Sequence, residues 1–219
     1  MPKSYSSDVA FTPSVKAAQE RRGSRAIYHR MEESGGWETT ISPALTDFIA
    51  ARDSFYFATA NAEGQPYIQH RGGPKGFLRV LDPKTLGFVD FAGNKQYISL
   101  GNLAENNRAF LFLMDYEGQQ RIKIWGRARV VEGDAALMAK LMPPGTEART
   151  KARAERVILF DVAAWDSNCP QHIPQKIDIG DVRERVGKLE SRIAALEAEN
   201  AELRAATVKR SDLTPTGKT

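Results

Sequence analysis

Hydrophobic and polar residues follow a period of two over the middle of the chain, which is typical of β-strands. Short runs of aromatic and β-branched residues there are separated by Gly, Pro, Asn and Asp. Seven strands are predicted, at Ser54–Asn61, Gln65–Gln69, Phe77–Asp82, Thr85–Phe91, Ala109–Tyr116, Arg121–Glu132 and Arg156–Trp165. Because few helical segments separate them, we expect an antiparallel barrel and not a parallel sheet with crossover helices.

Helical segments are predicted around these strands, so the expected fold class is mainly β with peripheral helices. Residues 1–12 are expected to form a loose arm, and a modest apolar stripe predicts a helix from Pro13 to a break at Gly35-Gly36. Ser42-Pro43 is typical of a helix start, with Ser as the N-cap and Pro in the first turn. The remaining helices are predicted at Pro43–Ala51, Ser99–Asn106, Asp134–Met142 and Glu147–Ala154, with Asp134 as the cap of the third.

The period changes again near the C-terminus. Between Asp181 and Ala206 the apolar seam steps alternately by four and three residues, through Val182, Val186, Leu189, Ile193, Leu196, Asn200 and Leu203. With β-branched residues and one Asn at a and Leu at d, this heptad pattern favours a parallel two-stranded coiled coil. The alternative is one amphipathic helix packed on its own barrel, against which the narrow seam argues. The tail Lys209–Thr219 is predicted to be disordered.

These patterns divide the chain into an N-terminal arm and helix (1–41), a barrel domain (42–175) and a heptad helix with its tail (176–219). The formal charge of +4 suits an anionic ligand, but Lys and Arg are too dispersed to favour nucleic-acid binding. No apolar run is long enough for a membrane span, and no signal peptide is evident, so we expect a cytoplasmic protein. The single cysteine, Cys169, excludes an intrachain disulfide and favours a reducing compartment.

Candidate chemistry is concentrated between Ile68 and Asn107. A basic, glycine-rich bend at residues 72–76 follows Arg71 and contains Lys75, and a second turn opens at Gly93-Asn94. Cations beside backbone N–H groups that a ligand can approach closely are typical of phosphate sites, although a plain basic β-turn is the alternative. The three histidines are widely separated, and neither a metal-ligand spacing nor a Walker motif is present.

Four features in this order carry a family resemblance over residues 42–165. They are the hairpin Phe55–Ala60 to Pro66–Ile68, the Arg71 to Lys75 strand end, Phe91-Ala92-Gly93-Asn94 running into Leu103–Arg108, and the alternating strand ending in Trp125-Gly126-Arg127-Ala128. The chain resembles the pyridoxamine 5'-phosphate oxidase-like flavoproteins. This resemblance implies a six-stranded antiparallel split barrel and an obligate homodimer with FMN bound between subunits; members of the family also use deazaflavin or haem.

The resemblance also assigns ten cofactor-binding residues. They are Gln69, His70, Arg71, Gly72, Lys75, Asn94, Gln96, Ser99, Lys123 and Trp125. Arg71 and Lys75 match the phosphate-binding strand, and Asn94, Gln96 and Ser99 the second phosphate turn. Ile98-Ser99-Leu100 stands where the true oxidases carry Ser-Arg-Lys, and a heptad helix stands where they end in a substrate-binding strand. Both departures argue against pyridoxamine phosphate as the substrate.

The expected function is that of an FMN-dependent oxidoreductase acting on an unidentified small substrate, with NAD(P)H or a reductase partner as candidate electron donor. The segment Asn168–Ile173 resembles the Asn-Cys-Pro-x-x-Ile ending of a divergent branch of the family. Catalytic candidates are His70 as a proton donor, Cys169 as a redox thiol, and His172; a structural role is the alternative for the first two. The alternative function is a non-catalytic flavin-binding or flavin-sensing dimer assembled through the coiled coil.

Overall fold

The computed structural model describes residues 4–143, 153–167 and 170–212, with the side chains of the last helix described through residue 205. The chain divides into two compact units, Met1–Pro174 and Gln175–Thr219. The first unit contains the sheet, and the second is a single long helix with the segment before it.

Seven strands form one sheet, and all seven strands predicted from the hydrophobic pattern are confirmed. They are β1 (Ser54–Ala60), β2 (Pro66–Gly72), β3 (Arg79–Asp82), β4 (Thr85–Phe91), β5 (Arg108–Asp115), β6 (Gln120–Val131) and β7 (Ala154–Ser167). Their order is β2-β1-β5-β6-β7-β4-β3, and every neighbouring pair is antiparallel. The split-barrel fold is confirmed, with seven strands where the resemblance implied six.

The sheet curls until its two ends approach each other, which closes the barrel around an aromatic interior. Phe55 on β1 packs against Phe88 on β4, with ring centroids 5.2 Å apart, although three strands lie between β1 and β4 in the sheet order. Both rings are almost completely buried. Burying a side chain of this size contributes about 1.5–3 kcal/mol. The period-two pattern therefore determines the core, since the inward residues of each strand are the apolar ones.

Six α-helices and one short 3-10 helix lie around the sheet in the described residues. They are a 3-10 helix at Ser6–Val9, α1 (Pro13–Arg21), α2 (Arg25–Glu33), α3 (Pro43–Ala50), α4 (Ile98–Glu105), α5 (Ala135–Leu141) and α6 (Ile179–Asp212). The predicted caps are confirmed, because Ser42 accepts from the Leu45 amide at 3.2 Å and Asp134 from that of Leu137 at 2.8 Å. Of the helix predicted at Glu147–Ala154, residues 147–152 lie outside the described residues, and Ala154 begins β7.

Residues 4–12 pack against the rest of the N-terminal segment, so the expectation of a loose arm is wrong for its described part. Ser7 is fully buried and donates to the carboxylate of Glu32 at 3.2 Å. Burial raises the pKa of Glu32, but its hydrogen bond to Arg25 and the charge of Lys16 outweigh this and hold the pKa below its usual range. Because buried ion pairs and not an apolar stripe hold this segment, hydrophobic periodicity could not reveal it.

The same segment covers part of the outer face of the sheet. The ring of Trp37 stacks on that of Trp125 on β6 at 4.5 Å, and Phe11 meets Trp37 edge-on at 5.0 Å. The helix predicted from Pro13 is two helices, since Gly23 adopts a left-handed φ of 75° between α1 and α2.

Helix α6 spans 34 residues and confirms that the heptad segment is helical. It continues through Asp212, so residues 209–212 of the tail predicted to be disordered are helical; residues 213–219 lie outside the described residues. None of the described helices combines the length and apolarity that crossing a membrane requires.

Candidate functional site

A cavity opens in the barrel at the split, where β2 approaches β4 and β7. It encloses about 510 Å³ including the open space at its mouth. Three segments of the chain line it: the inward side of β2, the facing ends of β4 and β7, and the turn Gly93–Tyr97 with the first residues of α4. Because β-strand side chains alternate, β2 directs Tyr67, Gln69 and Arg71 to one face, while Ile68 and His70 lie on the other.

An ion network crosses the split. Asp90 on β4 and Arg156 on β7 are direct cross-strand partners, and Arg156 Nη1 lies 3.2 Å from Asp90 Oδ2. Arg71 on β2 donates to the other oxygen of the same carboxylate, so Asp90 joins the two ends of the sheet. Arg156 also pairs with Glu155 at 2.7 Å and Glu132 at 3.1 Å. Burial lowers the pKa of Arg156, but these carboxylates outweigh it and raise that pKa above its ordinary value.

The lining residues carry a small excess of positive charge. Arg71, Lys95 and Arg156 face two carboxylates, Asp90 and Glu155. Three cations minus two anions leave a charge of +1. Lys95 is exposed at the mouth and has no ion-pair partner among the described residues, so its ammonium is available to a ligand.

The N-terminus of α4 points its backbone donors at this cavity. Tyr97, which precedes the helix, has a left-handed φ of 52°, and its side chain makes no capping hydrogen bond. The first helical hydrogen bond runs from the Gly101 amide to the Tyr97 carbonyl at 2.9 Å. The amides of Ile98, Ser99 and Leu100 therefore have no acceptor among the described residues, and all three residues line the cavity. Free amides and the helix dipole together favour an anion at such a position.

Two side-chain hydrogen bonds hold α4 against the sheet. The Ser99 hydroxyl donates to Gln69 Oε1 on β2 at 3.3 Å, and the buried Asn102 amide donates to Thr59 Oγ1 on β1 at 3.0 Å. The preceding turn is closed internally, since Asn94 accepts from the Gln96 amide at 3.2 Å. These contacts place the uncapped helix end at a fixed position relative to Arg71.

The donors in the cavity fit a phosphate group. Besides the α4 amides and Lys95, Arg71 Nε is buried and has no hydrogen-bond partner among the described residues. A buried guanidinium N–H that lacks an acceptor carries a desolvation penalty, which an anionic oxygen would remove. The fit is to one anionic group, because Asp90 and Glu155 limit the positive charge.

The structure brings together five of the ten predicted cofactor residues. Those that line the cavity are Gln69, Arg71, Asn94, Gln96 and Ser99. Those outside it are His70, Gly72, Lys75, Lys123 and Trp125. Lys75 is exposed in the bend after β2. The expectation of free amides in this bend is wrong for Gly73 and Gly76, which donate to the carbonyls of Asp53 at 2.8 Å and Arg52 at 3.0 Å.

His70, Lys123 and Trp125 lie on the opposite, outer face of the sheet. His70 is exposed and meets the ring of Tyr56 edge-on at 5.6 Å. Lys123 forms an ion pair with Asp166 at 2.9 Å. Trp125 belongs to a row of half-buried aromatic residues that runs across β1, β5 and β6 and also contains Tyr56, Phe110 and Phe112.

The catalytic candidate His172 does not lie at the cavity. His172 is exposed with a left-handed φ of 65° and is absent from the cavity lining. Cys169 lies outside the described residues. Within the described part of the chain, no group of three His, Cys, Asp or Glu side chains could hold a metal ion.

Sequence reasoning missed Asp90, Lys95 and Arg156. Lys95 stands between two predicted residues, so its inclusion in the turn could have been inferred from position alone. Asp90 and Arg156 are 66 residues apart, and only the register of β4 with β7 makes them neighbours.

Comparison with known proteins identifies one family. The family described as pyridoxamine 5'-phosphate oxidase matches residues 41–169, which is more than half of the chain. No curated protein matches the chain.

Solved structures with a similar fold include HupZ from group A Streptococcus, which is 20% identical, with a TM-score of 0.45 over 63% of this chain and 99% of HupZ. An FMN-binding protein from Syntrophomonas wolfei is 12% identical, with a TM-score of 0.45 over 70% of this chain and 96% of that protein. General stress protein 26 from Bacillus anthracis is 13% identical, with a TM-score of 0.43 over 56% of this chain and 88% of that protein.

Proposed function

The chain belongs to the pyridoxamine 5'-phosphate oxidase family, and on that premise we propose that it is an FMN-dependent oxidoreductase that binds the phosphate of FMN in the cavity at the barrel split. The observation that carries this proposal is the uncapped N-terminus of α4, whose free amides face Arg71 across the cavity. A phosphate monoester carries between one and two negative charges at neutral pH, which matches this donor set.

The α4 amides, Arg71 and Lys95 each contribute differently to holding the phosphate. The α4 amides supply hydrogen bonds without a mobile side chain, so the helix fixes the position of the anion. Arg71 supplies a charged donor through Nε while Asp90 holds its Nη1, which keeps the guanidinium in one orientation. Lys95 adds a point charge at the mouth. FMN, once bound, supplies hydride and electron transfer, and the protein determines where the cofactor lies.

The substrate differs from pyridoxamine phosphate in this proposal. Ile98-Ser99-Leu100 begins α4 without the cations that the true oxidases carry there, and the donors described above are sufficient for one phosphate only. An enzyme that must bind two phosphates, one on the cofactor and one on the substrate, needs a second cationic site. The described cavity lining contains none, which supports a substrate without a phosphate group.

We also propose that the protein is a homodimer and that the outer face of β1, β2 and β5 contacts the second subunit. Phe110 and Phe112 lie side by side on this face with centroids 6.3 Å apart, and Ile68 on β2, which is 63% exposed, lies on the same face with Ala58 of β1 between it and Phe110. His70 lies on the same face. Because α6 offers a second contact between copies, the test uses a chain that lacks residues 179–219. In that background, replacing Phe110 by Glu is expected to convert the dimer to a monomer in sedimentation velocity, and an unchanged dimer would place the interface elsewhere.

The alternative is a non-catalytic flavin-binding or flavin-sensing dimer assembled through the coiled coil. It is favoured by one observation, that neither His70 nor His172 lines the cavity. Stopped-flow mixing of the FMN-loaded protein with NADH or NADPH separates the two functions. Flavin reduction at a rate compatible with turnover supports the oxidoreductase, whereas a flavin that neither nucleotide nor a reductase partner reduces supports the binder.

The spectrum and mass of the ligand that copurifies test the cofactor itself. We expect the two absorption bands of an oxidised flavin and the mass of FMN after denaturation. A deazaflavin or haem spectrum would show that the protein binds another cofactor used in the family and not FMN. A colourless protein that takes up no added FMN would refute flavin binding altogether.

A further inference from the structure

Helix α6 exposes a continuous apolar seam. The apolar a and d side chains from Val182 to Leu203 are between 37% and 64% exposed in the single chain. The seam occupies two positions of every seven, and its outward neighbours are charged. A narrow apolar stripe of this kind on a long helix is the contact surface of a coiled coil.

The charges beside the seam specify which helix it pairs with. Taking Val186, Ile193 and Asn200 as a, the g positions are Arg185, Arg192 and Glu199, and the e positions one heptad further on are Glu190, Glu197 and Arg204. In a parallel pair each g residue meets the e residue of the following heptad on the other helix. The three contacts are then Arg185 with Glu190, Arg192 with Glu197 and Glu199 with Arg204, all of opposite charge. The sign reverses at the third contact, so a shift by one heptad would bring like charges together.

An antiparallel pair of the same helices is disfavoured by the e-position residues and by Asn200. The e positions read Arg183, Glu190, Glu197 and Arg204, a sequence of charges that is the same in both directions. In an antiparallel pair the e residues of one helix meet those of the other in reverse order. Arg183 then meets Arg204 and Glu190 meets Glu197, so like charges face each other. Asn200 would also face a d-position residue and lose the amide partner that it has in a parallel pair.

We propose that α6 pairs with α6 of a second copy of this chain as a parallel, in-register coiled coil, with orientation and register set by the three g–e contacts and by Asn200. The surface is complementary to itself, which identifies the partner as another copy. A parallel pair places the two Ile179 ends side by side. The proposal is independent of flavin binding, because none of these residues lines the cavity.

Cysteine cross-linking of the full chain tests orientation and register together. In a Cys169→Ser background, Leu196→Cys places a thiol at d, where a parallel in-register pair brings it opposite its own copy. Ala198→Cys, two residues away at f, points outward and is the matched control. We expect Leu196→Cys to form a disulfide-linked dimer on the order of a hundredfold faster than Ala198→Cys. A parallel pair holds the two d thiols next to each other at an effective concentration on the order of millimolar, whereas it keeps the two f thiols on opposite outer faces of the pair.

Leu189→Cys repeats the test one heptad earlier and guards against local damage at residue 196. Cross-linking at both d positions supports the parallel pair. Equal rates for d and f cysteines would overturn it, and so would the absence of cross-linking at both d positions. The absence of cross-linking is expected if α6 packs within its own chain, or if it pairs antiparallel so that d residues face a residues.

Charge reversal tests the g–e contacts in the same assay. Arg192→Glu added to Leu196→Cys places a glutamate at residue 192 of each helix next to Glu197 of the other helix. Because like charges then meet at both of these contacts, we expect the cross-linking rate to fall several-fold. Glu197→Arg added to that variant restores an opposite-charge contact, and we expect the rate to return. A rate that is not restored by the second substitution would show that this contact does not set the register.

Discussion

Replacing Arg71 by Ala tests whether the cavity holds a phosphate. Arg71 lines the cavity, and its Nε is a buried donor with no partner in the described residues. Removing it should not leave a buried charge without a counterion, because Asp90 keeps its contact with Arg156 at 3.2 Å. The variant is therefore expected to fold, and its effect on ligand affinity can be measured.

The magnitude follows from the chemistry of one charged hydrogen bond. Such a bond contributes about 1.5–3 kcal/mol, which corresponds to a loss of about 10- to 150-fold in FMN affinity. Riboflavin lacks the phosphate, so its affinity should be the same for the variant and the wild type. The ratio of the two effects isolates the contact between Arg71 and phosphate, as in a double-mutant cycle.

Fluorescence titration of the apoprotein with FMN and with riboflavin measures both affinities. Arg52→Ala is the matched control, since Arg52 is 16% exposed against 15% for Arg71 and forms a comparable ion pair with Asp115 at 3.2 Å. It lies outside the cavity lining, so we expect a similar loss of stability and no loss of FMN affinity. The reasoning is refuted if Arg71→Ala binds FMN as the wild type does, or if it weakens FMN and riboflavin equally.

Asp90→Asn removes the carboxylate charge that Arg71 and Arg156 share and raises the net charge of the cavity lining from +1 to +2. FMN affinity should rise several-fold while the midpoint of thermal unfolding falls; weaker FMN binding would show that the orientation Asp90 gives to Arg71 outweighs the gain in positive charge. Gly126→Ala places a Cβ 2.5 Å from the ring of Phe160 at a bulge of β6. Calorimetry should therefore show that the free energy of unfolding falls by about 1–3 kcal/mol or more. The control Gly101→Ala in α4 places a Cβ that meets no atom within 4 Å, and the free energy of unfolding should rise by up to about 1 kcal/mol. Because the folded pKa of Glu32 lies below its ordinary value of 4.5, the stability it contributes is present above pH 4.5 and is lost as the pH falls through the folded pKa. Glu32→Gln should flatten this acid limb in unfolding titrations, and an unaltered limb would assign it to other carboxylates.

Local patterns predicted most of the fold. All seven strands and the caps of α3 and α5 follow from alternation, turn residues and side chains next to helix starts, which act over a few neighbouring positions. The N-terminal segment was missed because Ser7, Glu32 and Arg25 hold it through buried polar contacts between residues up to 25 apart. Such contacts have no period along the sequence.

The site was predicted only in part, for the same reason. Gln69, Arg71 and Ser99 could be found because each stands at the end of a recognisable strand or the start of a helix. Whether a predicted residue faces the cavity depends on the alternation of its strand, and His70 lies on the outer side although both its neighbours line the cavity. Lys75 is near in sequence but lies in a bend whose amides bond to the backbone after α3.

The amino-acid sequence by itself determined the strands, the helix starts and the charges along α6, since these depend on neighbouring residues and on heptad spacing. Only the tertiary structure decided the composition of the cavity. Curling of the sheet brings β2 against β4, and the register of β4 with β7 sets Asp90 opposite Arg156. A carboxylate that pins two arginines beside an uncapped helix is a property of strand order and register, which no local pattern encodes.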